Sequence, residues 1–271
     1  MSDIGFYVAF EDKYRGSREL IKSRLRAYLP FVQPLTRINS SFHGLDLGCG
    51  RGEWLELMRD IEVDFRGVDL DLGMIESAKQ HGLNVSHRDA LLELQSLDDE
   101  SLSVVSGFHI AEHLPFDTLK CLIFESFRVL APGGLLILET PNPENITVGT
   151  ASFYLDPSHT QPIPSELLSF VSEHVGFERV KVLKLNDLEG LKEADSISLM
   201  GVLNGVSPDY AVVSQKAGLS GTSDALADVF EREYGITLEM IANKTVTLEQ
   251  LNNIKLKEYE PESDWKHYPP C

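Results

Sequence analysis

The chain has 271 residues, 42% of them hydrophobic, enough to bury a core for one globular domain with an appendage. Its 24 basic and 42 acidic residues give a formal charge of −18, which argues against a nucleic-acid partner because binding a phosphate backbone needs a basic face. Cys49, Cys121 and Cys271 form no paired motif and read as reduced thiols of a cytoplasmic protein, and no run reaches the roughly 18 apolar residues that span a bilayer; peripheral membrane association stays open.

Residues 1–40 read as an N-terminal helical cap. Ser17 is placed to N-cap a helix whose apolar stripe runs through Leu20, Ile21, Leu25, Tyr28 and Leu29, with Pro30 and Pro34 closing it. Phe42 to Leu47 then reads as a short buried strand, Gly48-Cys49-Gly50-Arg51-Gly52 breaks it, and helical spacing resumes at Glu53. Glycines suit such a turn because the backbone must bend tightly and admit a ligand without a Cβ in the way. A second apolar stretch from Val63 ends in Asp69, where doubly wound folds place the acid that accepts hydrogen bonds from a ribose. The glycine spacing is not that of a dinucleotide loop, since Glu53 stands where the third glycine belongs. A carboxylate there repels a pyrophosphate and suits a ligand carrying a sulfonium and an ammonium.

Leu45 to Gly52 together with Gly67-Val68-Asp69 resembles motifs one and two of the class I S-adenosylmethionine-dependent methyltransferases. The resemblance covers about residues 40–216 and implies a methyltransferase domain at 41–216 with S-adenosylmethionine as cofactor. Its implied cofactor site comprises Asp46, Gly48, Cys49, Gly50, Arg51, Asp69, Leu70, Ala90 and Phe108, with Asp89 after the third strand accepting from the adenine amino group. Tyr14 to Ser17 either packs on the domain or covers this pocket, and in the second case Arg15 pairs with the methionine carboxylate.

The remaining elements continue an alternation of strand and helix. Met74 to Gln80 reads as a helix, Leu83 to Ser86 as strand three, Leu102 to Phe108 as strand four and Phe116 to Leu130 as the next helix. Pro132-Gly133-Gly134 turns the chain into Leu135 to Thr140, an apolar run suited to a central parallel strand. The loop from Pro141 to Gln161 is too long for an ordinary connection and reads as functional. A helix from Glu166 to His174, strand six at Phe177 to Leu185 and strand seven at Asp209 to Gln215 complete the pattern; residues 186–207 are ambiguous. The expected fold is α/β: a doubly wound, seven-stranded, mostly parallel Rossmann-like sheet with ligand at the carboxyl ends of its strands. Residues 217–271 read as a helical extension, Asp224 to Tyr234 and Leu238 to Leu256, that packs on the domain or pairs subunits into a homo-oligomer, followed by a mobile end.

For chemistry, His109-Ile110-Ala111-Glu112-His113 spells the inverted zincin pattern, so a metalloprotease competes as an enzyme class. That motif belongs within a helix, whereas here it follows a strand directly. In a methyltransferase His109 or His113 is a candidate base, or His109, Glu112 and His113 hold a divalent cation that acidifies the acceptor hydroxyl. Some O-methyltransferases of the family carry such a cluster with Glu in place of His109, which leaves metal use open; packing at a helix start is the plain structural alternative. His159, in Phe153 to Pro162, is a further candidate for acceptor binding or catalysis.

Phe10 to Leu20, Glu139 to Asn145 and Phe153 to Pro157 together resemble a bacterial subgroup associated with O-antigen or other surface-polysaccharide assembly. That implies an O-methyltransferase acting in lipopolysaccharide biosynthesis on a sugar hydroxyl or another hydroxylated small acceptor. A quinone-type small-molecule methyltransferase and a non-catalytic methyltransferase-fold scaffold are the alternatives.

Overall fold

The computed structural model describes residues 13–14, 16–38, 41–188, 190–194, 197–218 and 224–244. Arg15, the 219–223 part of the expected linker and everything expected beyond residue 244 lie outside them. Seven strands form one sheet in the order β3-β2-β1-β4-β5-β7-β6. They are β1 Gly44–Leu47, β2 Phe65–Asp69, β3 Val85–His87, β4 Leu102–Phe108, β5 Leu130–Pro141, β6 Arg179–Leu185 and β7 Asp209–Gln215. β7 alone runs antiparallel to its neighbours β5 and β6, so the sheet is mostly parallel.

Alternation along the strands divides the core into two layers. Leu135 and Ile137 of β5 face one layer, Leu136 and Leu138 the other, as successive side chains of a strand must. On the first side pack α1 Arg18–Leu25, α2 Leu29–Ile38, α3 Glu53–Asp60 and α4 Leu72–Gln80. The second side takes α5 Ala90–Gln95, α6 Phe116–Val129 and α8 Ser165–Val175. The loop after β5 is built from α7 Ile146–Thr150 and a 3₁₀ turn, Ser152–Leu155. The ambiguous stretch contains α9 Leu199–Gly205, and α10 Ala227–Glu231 follows β7.

Two local expectations are corrected. Ser17 does cap α1, accepting from the Leu20 N–H, but Pro30 and Pro34 do not end the helical cap. Pro30 lies in the first turn of α2, where a backbone N–H has no partner to lose, and burial of Phe31, Val32 and Leu35 holds the helix through Pro34. The Pro132-Gly133-Gly134 turn lies inside β5 as an irregularity: Leu102 pairs with Leu130, yet Val104 pairs with Leu135.

Residues 224–244 lie against the domain. Leu226 and Val229 join the core layer of the N-terminal helices, where Phe230 meets the Phe31 ring edge-on, and Ile236 and Ile241 form a small cluster with Ile197 and Val206. Ending the chain after Lys216 removes these four buried side chains, each worth roughly 1.5–3 kcal/mol. The truncated protein is expected to melt at least about 10 °C lower by circular dichroism; an unchanged midpoint would show the segment to be peripheral.

Candidate active site

β1 delivers the chain into the glycine turn, where Gly48, Gly50 and Gly52 have φ of +64°, +52° and +82°. Side chains rarely adopt that backbone, so the turn selects glycine. The turn is fastened to the end of β2. Asp69 accepts from the Gly50 N–H through Oδ2 and from the Asp71 N–H through Oδ1, both at 2.8 Å, and the Cys49 N–H reaches the Val68 carbonyl at 3.0 Å. Cys49 is buried against Gly67, whose missing Cβ would otherwise lie 2.6 Å from the Cys49 Cβ. These contacts orient the Asp69 carboxylate where a ribose is expected.

Asp46 is buried and accepts from the Ser106 hydroxyl at 2.6 Å. Burial pushes its pKa up to about 8; the Ser106 bond opposes this, and the Asp69 and Glu53 charges add to it. Burial likewise pushes the Cys49 thiol up. Glu53 does begin α3, but it pairs with Arg51 at 2.9 Å and Arg18 at 3.6 Å, so its charge is matched within the protein. The argument that it repels a pyrophosphate therefore weakens. Arg51 is buried and reaches the Gly16 carbonyl, while Arg18 donates to the Arg51 carbonyl, so α1 and the segment before it lie over the turn.

Asp89 N-caps α5 by accepting from the Leu92 N–H at 2.9 Å, with Ala90 as the first helical residue. Leu70 is an apolar side chain 63% exposed beside Asp69, as suits a wall of a ligand pocket. Phe108 ends β4 with its ring 5.2 Å from those of Tyr28 and Trp54.

The histidine segment follows directly. Ile110 packs on Gly48 and Gly107, where an added Cβ would lie 3.1 and 2.8 Å from it, so residues 109–113 adjoin the glycine turn. Ala111–His113 is a 3₁₀ turn, not part of a zincin helix. His109 has φ +58°, and its N–H donates to the Glu139 carbonyl at the end of β5. Its Nδ1 lies 3.1 Å from Glu112 Oε1, while Nε2 lies 3.3 Å from Glu139 and 3.9 Å from Asp209. Tyr28 donates its hydroxyl to Glu139, and Asn186 its amide to Asp209 at 2.7 Å. Burial holds Asp209 above the usual carboxylate range; His109 opposes that and Glu139 reinforces it.

Glu112 has no exposed surface. Burial alone would raise its pKa, but the His109 hydrogen bond and the charges of His109 and His113 outweigh it and lower it to about 2. Its Oε2 also accepts from the Thr140 hydroxyl at 2.9 Å. The 153–160 loop closes on this turn, Thr160 donating through N–H and Oγ1 to the Glu112 carbonyl, both at 2.8 Å. That brings His159 Nε2 within 4.0 Å of Glu112 Oε1 and its ring within 4.7 Å of the His113 ring. Burial is the first cause holding His113 below the usual histidine range, which keeps it neutral at pH 7.

The sequence reading grouped His109, Glu112 and His113. The fold regroups them as Glu112, His113 and His159 on one side and His109, Glu139 and Asp209 on the other. Tyr28, Glu139, Ser158, Asn186 and Asp209 were not foreseen. A carboxylate ending an apolar strand, as Glu139 does, was the available signal.

A family model described as a methyltransferase domain matches residues 15–182, more than half of the chain. The chain belongs to this methyltransferase family. A solved S-adenosylmethionine-dependent methyltransferase from Archaeoglobus fulgidus is 32% identical, with a TM-score of 0.70 over 78% of this chain and 100% of that one. A probable S-adenosylmethionine-dependent methyltransferase of Mycolicibacterium smegmatis is 32% identical over 152 residues, 56% of this chain and 58% of that protein. A ubiquinone biosynthesis O-methyltransferase of Coxiella burnetii is 29% identical over 104 residues, 37% of this chain and 44% of that protein. The matches thus span about half of these curated relatives. The protein is an S-adenosylmethionine-dependent methyltransferase.

The glycine turn and the carboxyl groups at the ends of β1 and β2 fit a ribonucleoside, with Asp69 as the candidate acceptor for its hydroxyls. A cleft of about 510 Å³ lined in part by Glu144, Phe170, Lys184 and Glu239 shares no residue with the turn or the histidines. Among the described residues no helix is long and apolar enough to cross a membrane.

With a pKa of about 8, Asp46 holds its proton at pH 7. A bound cation favours the carboxylate and so lowers that pKa, releasing the proton. Cofactor affinity is expected to rise from about pH 6 to a plateau above about pH 8, and titration calorimetry at pH 7 in buffers of different ionisation enthalpy should show release of about one proton. Heats independent of buffer would contradict this.

Proposed function

We propose that this methyltransferase acts on a hydroxyl of a small polar acceptor, and that Glu112, His113 and His159 activate that hydroxyl. The observation that supports it is the convergence of two imidazoles and a buried carboxylate beside the glycine turn. In the reaction the acceptor oxygen forms a bond to the methyl carbon as the carbon–sulfur bond breaks, its electron pair staying on sulfur. The hydroxyl proton must leave, which is the work a histidine–carboxylate cluster can do; a neutral amine attacks before it loses a proton. Cofactor binding supplies the sulfonium methyl, and the protein's part is to hold the acceptor in line and dry.

His159 is placed for this better than His109. The nitrogens of His109 lie 3.1 and 3.3 Å from carboxylates, whereas His159 Nδ1 bonds the Phe153 carbonyl at 2.6 Å and must carry the hydrogen, which leaves the lone pair of the neutral ring on Nε2, 3.9 Å from Asp156 and 4.0 Å from Glu112. Glu139, Asp156 and Asp209 around the cluster offer acceptors for further hydroxyls, which supports a sugar-like acceptor. A quinol-type phenol is the second reading, supported by Tyr154 and Leu155, 62% and 56% exposed beside the cluster loop, and by oxygen being the atom named for the Coxiella relative.

Transfer of labelled methyl to a panel of nucleotide sugars, oligosaccharides and catechols tests the proposal. The expected product is a methyl ether, and His159→Ala should lower turnover roughly 10²-fold with unchanged cofactor affinity. Methylation at nitrogen or carbon, or normal turnover by His159→Ala, would sink it.

A further inference from the structure

We infer that Asp156 and Ser158 are positioning residues: together they fix His113 in the neutral form that carries its hydrogen on Nδ1, and Asp156 also faces the Nε2 through which His159 takes the acceptor proton. What the two histidines are used for rests on the proposed hydroxyl chemistry, but their hydrogen positions are observable with neither acceptor nor cofactor present.

The hydrogens around Ser158 decide the form of His113. The Ser158 N–H donates to Asp156 Oδ1 at 2.8 Å, and its hydroxyl donates to the same oxygen at 2.6 Å. A hydroxyl has one hydrogen. The Ser158 oxygen also lies 2.9 Å from His113 Nδ1, and it has only lone pairs left to offer there. The hydrogen of that contact therefore comes from the ring, and the lone pair of the neutral imidazole is on Nε2. An ionised carboxylate can only accept, so Asp156 sets the direction of the whole chain, from His113 to Ser158 to Asp156. His159 arrives at the same form by a separate route, since the Phe153 carbonyl 2.6 Å from its Nδ1 can only accept. The buried Phe153 ring also packs against the His159 ring, their centres 4.5 Å apart.

A free neutral imidazole takes either form, and with the hydrogen on Nε2 neither ring could accept a proton at that atom. Two unrelated contacts impose the same form on two rings whose centres are 4.7 Å apart, on a loop that Thr160 fastens to the Glu112 backbone. The second oxygen of Asp156 has its own part. Asp156 Oδ2 is 3.9 Å and Glu112 Oε1 4.0 Å from His159 Nε2, so the imidazolium formed as the acceptor hydroxyl gives up its proton appears between two carboxylates. In that step the proton passes from the acceptor oxygen to Nε2 while the oxygen bonds the methyl carbon and the carbon–sulfur electron pair stays on sulfur. His113, which burial holds below the usual histidine range, stays neutral and adds no opposing charge beside it. A base oriented by a third group is the general pattern, here with a serine inserted between the carboxylate and one ring.

Long-range proton–nitrogen NMR of the full-length protein carrying ¹⁵N-labelled histidine, with His113→Gln and His159→Gln to assign the signals, distinguishes the two forms of each ring. The wild type should carry the hydrogen on Nδ1 of both. Ser158→Ala should turn His113 into a mixture of forms, and Ser158→Thr, which keeps the hydroxyl, should restore it. Asp156→Asn should leave the form of His113 in place, because the amide oxygen still accepts from Ser158, yet remove the charge facing His159. With the best hydroxyl acceptor of the nucleotide-sugar, oligosaccharide and catechol panel, Ser158→Ala and Asp156→Asn should each lower kcat about 10-fold or more with little change in KM, and Ser158→Thr should recover it. Thermal melting and cofactor binding establish that each variant is folded. A hydrogen on Nε2 of His113 in the wild type, an unaltered His113 signal in Ser158→Ala, or normal turnover by both Ser158→Ala and Asp156→Asn overturns the inference. If the signals behave as expected and no hydroxyl of the panel is methylated, the acceptor reading alone fails.

Discussion

A carboxylate with no exposed surface has to be answered from within the protein, and Glu112 sets that demand on everything around it. An unpaired buried charge costs several kcal/mol, so its surroundings must supply hydrogen bonds and positive potential. The hydrogen bonds to the carboxylate come from two separate pieces of chain, and a third fastens its backbone. His109 stands at the end of β4, Thr140 at the end of β5, and Thr160, on the loop that brings His159 in, closes on the Glu112 backbone. The parallel pairing of β4 with β5, register Phe108 to Glu139, is what places the first two side by side. Remove the buried charge and His109 and Thr140 lose their common partner.

A second layer of charge surrounds the first. His109 sits between Glu112 and the Glu139–Asp209 pair, and Tyr28 reaches Glu139 from the N-terminal cap. The cap is held by Arg18 and Lys22 on Glu56 and Asp60 of α3, the helix that opens at the glycine turn. Cofactor turn, cap and acceptor cluster are therefore one connected structure rather than neighbours on a scaffold. The acidic excess of the chain is also visible locally: Asp46, Asp69 and Glu53 crowd the cofactor turn, where Ser106 bonds Asp46, backbone N–H groups bond Asp69 and two arginines pair with Glu53.

Much of the sheet was legible because buried parallel strands and glycine turns leave local signatures. β7 is found where its apolar run begins and ends, and Asp46, Gly50 and Asp69 meet at the turn as expected from their spacing. The helical cap was harder, since Pro34 breaks a helix by local rule and is tolerated only because Phe31, Val32 and Leu35 are buried. The grouping at the acceptor edge was legible only in part: Glu112, His113 and His159 each stood out as candidates, but which of the histidines would share Glu112 did not. Adjacent residues such as His109 and His113 face different partners when a left-handed residue and a 3₁₀ turn intervene, and His159 joins Glu112 from 47 positions away. Asp209 lies at the start of an antiparallel strand, so only the sheet order brings it to the carboxyl edge.

The central claim is that the cofactor turn and the Glu112–His113–His159 cluster face one reaction centre. A crystal structure with S-adenosylmethionine bound measures this directly. The account predicts the ribose on Asp69 and the methyl carbon directed at His159 and Glu112, with space for one acceptor oxygen at about 3–3.5 Å from it. A methyl group directed away from both histidines would contradict it.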